Sequence, residues 1–90
     1  MNEKYIVKMP RKLEKVIRDI PESARKVLLK LVDDIQNSGP IQPAYPNYSK
    51  LGKDTYHCHL TYKWVACWRC EQGEYIVEVY YVGSREKAPY

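Results

Sequence analysis

Residues 56–82, YHCHLTYKWVACWRCEQGEYIVEVYYV, decide the fold. Three segments within it, Tyr56 to Tyr62, Trp64 to Cys70 and Tyr75 to Val82, are dense in aromatic and β-branched side chains, which pack well on a pleated surface. Glu71-Gln72-Gly73-Glu74 supplies a hairpin turn between the second and third, and a tight turn around Thr61–Lys63 must join the first two. The chain therefore ends in three consecutive strands.

Upstream the periodicity changes from two to that of a helix. Leu13, Val16, Ile17 and Ile20 follow the i, i+3, i+4, i+7 spacing of one apolar stripe, after Pro10 as a helix opener. Pro21 breaks this helix. A second runs from about Glu22 to Asn37, with Ala24, Val27, Leu28, Leu31 and Ile35 as its buried stripe and Gly39-Pro40 as its stop. Lys4 to Met9 reads as a first strand. Between the second helix and the strands, residues 39–54 form a long connection whose Pro40, Pro43 and Pro46 restrict it without giving it a regular element, while Tyr45 and Tyr48 argue for packing. The expectation is one α+β domain spanning 1–90, ordered β-α-α-β-β-β. A helical hairpin would cover one face of a mostly antiparallel four-stranded sheet and leave the other face free.

Ninety residues bury one core and no more, and 44% hydrophobic residues suffice for it without disulfides. Phenylalanine is absent, against nine tyrosines and two tryptophans, side chains that pack as core but also stack on nucleobases. The formal charge of +4 is uneven: residues 1–30 hold nine Lys/Arg against four Asp/Glu, while residues 50–90 are close to balance. Such an excess favours phosphates or acidic partners. The three cysteines, Cys58, Cys67 and Cys70, cannot all pair, and an odd count points to a reducing compartment. No apolar run reaches the length of a membrane span, and Met-Asn-Glu-Lys-Tyr at the N-terminus lacks a secretion signal. A cytoplasmic protein without membrane contact is expected.

The chemistry points to the strand Tyr56-His57-Cys58-His59-Leu60. Alternation sends Tyr56, Cys58 and Leu60 to one face and both histidines to the other. Imidazole exchanges protons near neutral pH, and with Lys63 and Arg85 nearby the pair suits proton transfer beside an anion. RNA cleavage needs a proton taken from a 2′-hydroxyl, charge stabilised on phosphorus and a proton given to the leaving 5′-oxygen; histidine fits the transfers and arginine the phosphate. The plainer reading is an exposed strand face that tolerates polar residues. Zinc is the rival chemistry, since Cys67-Trp-Arg-Cys70 is a CxxC. Inside a strand Cys67 and Cys70 point to opposite faces and Cys58 faces away from the histidines, so core packing is expected of the cysteines and no metal. Gly83, after Val82, is expected to let the backbone turn sharply before Arg85.

These pieces together resemble a known family. Lys50-Leu51-Gly52 before the strand Tyr56 to Leu60, then Tyr62-Lys63-Trp64-Val65, Val77 to Glu86 with its Val82-Gly83-Ser84-Arg85-Glu86, and a final Tyr90 look like the RelE/ParE toxin superfamily. The resemblance implies a bacterial toxin of a type II toxin–antitoxin pair. Its RelE branch consists of ribosome-dependent mRNA endonucleases that block translation by 2′-hydroxyl attack, with no cofactor or metal; the implied partners are a cognate antitoxin, the ribosome and mRNA. By that resemblance His57 and His59 match positions that are lysines in some members, Arg85 matches an arginine that stabilises the transition state, and Tyr90 lies within one position of a tyrosine that stacks on a base. Lys63 matches an arginine that contacts phosphate, and Lys53 joins it as a candidate substrate-binding residue. The general base is His57 or His59; the acid is the other histidine or Tyr90. The other readings are a ParE-like DNA gyrase poison and a RelE-fold binding protein without catalysis.

Overall fold

The computed structural model describes residues 4–90; Met1-Asn2-Glu3, the start of the N-terminal segment, lies outside the described residues. Strand β1 (Ile6–Lys8) leads into helices α1 (Lys12–Asp19) and α2 (Glu22–Ser38). Strands β2 (Ser49–Lys50), β3 (Thr55–His59), β4 (Trp64–Arg69) and β5 (Ile76–Ser84) follow, and a 3-10 turn, Arg85–Lys87, leaves the last strand.

The two helices form the expected hairpin, and a side chain fixes it. A helix ends with carbonyls that have no partner inside the helix. Arg25, on α2, donates from Nε to the Ile17 carbonyl and from Nη2 to those of Arg18 and Ile20, at 3.0–3.1 Å, and so caps α1 from its neighbour. Pro21 stands between the helices as the N-cap of α2. Gly39 ends α2 with φ +97°, and a Cβ there would come within 2.8 Å of the Tyr5 ring, so the stop is both conformational and steric.

The sheet is mixed and five-stranded, in the order β1-β5-β4-β3-β2. Only β1, parallel to β5, departs from antiparallel pairing. The strand beyond the expected four is β2, two residues within the proline-rich connection, and it pairs with β3 through Ser49↔His57 and Lys50↔Tyr56. The connection is packed rather than loose. The Trp68 indole donates to the Pro40 carbonyl (2.9 Å), Tyr48 stacks on Tyr56, and Tyr45 donates its hydroxyl to the Asp34 carboxylate of α2.

One face of the sheet carries the core. Tyr56, Cys58, Leu60, Ala66, Trp68, Val77, Val79 and Val82 meet Leu13, Ile20, Ala24, Leu28, Leu31 and Ile35 of the helical layer. Trp68 is fully buried at its centre, where truncation to alanine typically costs about 3–5 kcal/mol. Among the described residues no helix is long and apolar enough to cross a membrane.

Candidate active site

Cross-strand partners share a face of a sheet, so the register names what stands opposite the helices. His57 pairs with Cys67 and His59 with Val65; across the next ladder Cys67 pairs with Tyr81 and Val65 with Gly83. A bulge at Cys67/Trp68 leaves Tyr80 without a partner between Val79 and Tyr81. Tyr80 carries Arg69 over its ring (5.0 Å), and Arg69, paired with Glu78, is on this same face, so the bulge turns two consecutive tyrosines toward it.

This face is less open than two histidines on a polar strand would suggest. His57 is only 7% exposed. Its Nδ1 lies 2.9 Å from Ser49 Oγ, and the Tyr90 ring covers it at a centroid distance of 4.3 Å. His59 is half-buried, with its Nε2 3.4 Å from the Asn47 side-chain Nδ2, and the two imidazole centroids stand 6.0 Å apart. Asn47 adopts φ +54°, a left-handed conformation that asparagine tolerates, and the Pro46 carbonyl beside it accepts the His59 backbone N–H at 2.8 Å. The proline-rich connection thus supplies a wall of the site.

Both imidazoles are held below their ordinary pKa of 6.5. Burial is the larger cause for each, since it disfavours the imidazolium; His59 further lowers His57, and the Arg85 guanidinium further lowers His59. Tyr90 is pushed the other way, above its ordinary 10.0, mainly by burial. At neutral pH the pair is therefore ready to accept a proton, and the tyrosine holds one.

Arg85 is placed by backbone. Its N–H donates to the Lys63 carbonyl at 2.8 Å, which joins the end of β5 to the β3–β4 turn. Its guanidinium lies 4.5 Å over the Tyr62 ring, with Nη2 3.4 Å from the Tyr62 hydroxyl. Gly83 serves this placement differently from the sharp turn expected of it. It lies inside β5, and a Cβ there would come within 2.7 Å of the Tyr81 hydroxyl. The missing side chain lets the Tyr81 ring lie over the strand and its hydroxyl donate to the Ser84 carbonyl (2.8 Å), directly before Arg85.

The structure brings His57, His59 and Tyr90 together, with Arg85 near enough to His59 to act on its charge. Lys63 lines a hollow with Arg85. Lys53 stands apart: it lines a different hollow with Lys50, Asp54 and Gln72, before the opposite end of β3. The far end of this face is acidic, with Glu71, Glu74 and Glu78 around Arg69, so an anion is favoured at the Arg85 end rather than there. Cys67 faces the histidines, but it is fully buried and its thiol is pushed up to about 12 by burial. Cys70 belongs to the helix-side core. Among the described residues no three His, Cys, Asp or Glu side chains are grouped to hold a metal ion.

Ser49, Asn47 and Tyr81 join the site without a motif that marks them in the sequence. Ser49 and Asn47 lie in the connection that proline content marks as irregular. Tyr81 had a signal: Val77 and Val79 are two apart but Val82 comes three later, the spacing that one extra, bulged residue leaves.

No protein family matches the chain at the level of sequence, and neither does any curated protein. Solved structures do match. RelE in the archaeal RelE–RelB complex from Pyrococcus horikoshii OT3 superposes with a TM-score of 0.73 at 14% identity, over 94% of this chain and 99% of that one. The isolated E. coli RelE toxin gives 0.70 at 20% identity, over 94% and 88%. YoeB from Staphylococcus aureus, solved as a dimer, gives 0.69 at 9% identity, over 91% and 98%. Two helices on one face of a mixed sheet, matched over nearly the whole length of both chains, give this protein the RelE-like fold.

Proposed function

We propose that this chain is the toxin of a type II toxin–antitoxin pair and cuts mRNA on the ribosome, in the cytoplasm. The observation that carries the reading is the pair of imidazoles on the face opposite the helices, both biased to the neutral form, with Arg85 on one side and Tyr90 on the other. The archaeal RelE has been solved bound to RelB, and a double-arginine mutant of E. coli RelE with a RelB peptide, which supports a protein antitoxin as partner.

The half-buried His59 is the better proton acceptor, since His57 is closed in by Ser49 and Tyr90. In this scheme His59 takes the proton of the 2′-hydroxyl, and the 2′-oxygen attacks phosphorus. Arg85 stabilises the charge that develops on the phosphoryl oxygens, and Lys63 holds the neighbouring phosphate as a point charge. The bond from phosphorus to the 5′-oxygen breaks, and Tyr90 gives its proton to that oxygen. The products are a 2′,3′-cyclic phosphate and a 5′-hydroxyl, and proton exchange with water resets both side chains. His57 holds the Tyr90 ring in place. Lys53, at the other end of β3, is outside this set. Beyond the hollow at Lys63 and Arg85 the site is a sheet face, so the ribosome shares in positioning the message.

Primer extension after brief induction tests the reading. Cuts confined to translated frames are expected. Growth arrest with uncut message would instead indicate a ParE-like gyrase poison, and neither effect would leave a RelE-fold binding protein.

A further inference from the structure

Beside the histidines lies a hollow of about 270 Å³ lined by Tyr62, Lys63, Trp64, Ser84, Arg85 and Glu86. Arg85 and Lys63 serve the proposed cleavage, whereas the other four have no part in it. Tyr62 is 73% exposed, an unusual position for so large a ring, and the group that covers it is a cation rather than an apolar neighbour. An arginine over an exposed aromatic gains only about 0.5–1 kcal/mol, so a better planar partner can displace it. The volume is just under the roughly 300 Å³ at which small-molecule sites begin, which suits one planar ring rather than a whole nucleotide. Two cations at the same place suit the phosphate attached to that ring.

Glu86 is the part that a phosphate does not explain. A carboxylate beside Arg85 and Lys63 weakens anion binding, and Glu86 is in none of the ion pairs among the described residues. A carboxylate is acceptor-only, with two oxygens side by side. Guanine is the RNA base whose Watson–Crick edge offers two adjacent donors, N1–H and the 2-amino group. Adenine would set its N1 lone pair against the same oxygens, and uracil a carbonyl.

We propose that this hollow is a guanine-selective base subsite, in which Tyr62 stacks on the base and Glu86 accepts from its N1–H and 2-amino group. The role follows from the ribonuclease reading, and it fixes a sequence preference: a guanine next to the scissile phosphate, which Arg85 contacts from the same hollow. Trp64, half-buried, forms part of the wall.

The test has two arms. In the first, the full chain is titrated with 5′-GMP and with 5′-AMP while its two indole N–H signals are followed by NMR. Trp64 should shift and Trp68, buried and bonded to the Pro40 carbonyl, should not. GMP should bind roughly tenfold more tightly than AMP, Glu86→Gln should bring the two within about twofold, and Tyr62→Ala should weaken both. Equal binding of GMP and AMP by the wild type overturns the role of Glu86, and no shift of Trp64 with either overturns the subsite. In the second arm cleavage positions are mapped for wild type and Glu86→Gln, and the variant should still cut but lose its preference for guanine. The first arm needs no ribosome and no cleavage. Cutting without GMP binding therefore refutes the subsite alone, and GMP binding without cutting refutes the ribonuclease alone.

Discussion

The Tyr90 ring lies over the His57 imidazole at a centroid distance of 4.3 Å and a tilt of 52°, so the last residue of the sequence covers the more buried of the two histidines. Burial is the main reason that His57 titrates below 6.5. Removing the cover should therefore return it toward that value. Tyr90→Ala is expected to raise the His57 pKa, read from the imidazole proton shifts across a pH series, and to leave His59 closer to its wild-type value. An unchanged His57 would mean that Ser49 and the β4 side chains bury it without Tyr90.

Arg85 acts on His59 through charge. Its loss should raise the His59 pKa, but only part of the way, because burial is the larger cause. Arg85→Ala is expected to slow cleavage roughly 100-fold or more, as removal of a preorganised donor to a developing oxyanion does. Arg85→Lys should keep the depressed His59 pKa while recovering only part of the rate, since an ammonium lacks the planar fork. Equal rates for the lysine variant and wild type would remove the bidentate contact from the account.

Stability should fall in mild acid. Both histidines have folded pKa values below 6.5, so near and below that value the unfolded chain binds more protons than the folded one. The stability they contribute is present above about pH 6.5 and is lost as pH falls through 6.5 toward the folded values. Urea midpoints measured between pH 7.5 and 5 should decline, and replacing both histidines with asparagine should flatten that decline. An unchanged slope in the double variant would assign it to other groups.

Gly83 and Tyr81 should be coupled. A methyl group at position 83 would meet the Tyr81 hydroxyl at 2.7 Å and its Cζ at 2.9 Å, which displaces the ring and breaks its bond to the Ser84 carbonyl. Gly83→Ala is expected to cost about 1–3 kcal/mol. In a Tyr81→Ala background the same change should cost under about 0.5 kcal/mol, because nothing is left to displace. Additive costs would place the requirement for glycine elsewhere.

Much of the architecture is legible in local pattern. The stripe of Leu13, Val16, Ile17 and Ile20 forms one helix, Ala24 to Ile35 packs the next, and the alternation of Tyr56, Cys58 and Leu60 against His57 and His59 holds in β3. What pattern could not supply is set by distant pairing. Ser49–Lys50 becomes a strand only because β3 offers a free edge, and no propensity in a proline-rich stretch announces that. The Tyr90 ring that lies against His57 is thirty-three positions away in the sequence, and a polar residue on an open face gives no sign of so distant a neighbour. Lys53 shows that nearness in sequence is not nearness in the fold: it is close to the histidines along the chain but stands before the far end of their strand.

The most direct test of the account is single-turnover cleavage of mRNA on programmed ribosomes, followed across pH for wild type and His59→Ala. For wild type the rate should rise to a plateau through an ionisation below 6.5 and hold until Tyr90 ionises above 10.0. His59→Ala should cut roughly 100-fold or more slowly, with the acid limb gone. A His59→Ala protein that cleaves at the wild-type rate with the same acid limb would contradict proton transfer by this histidine.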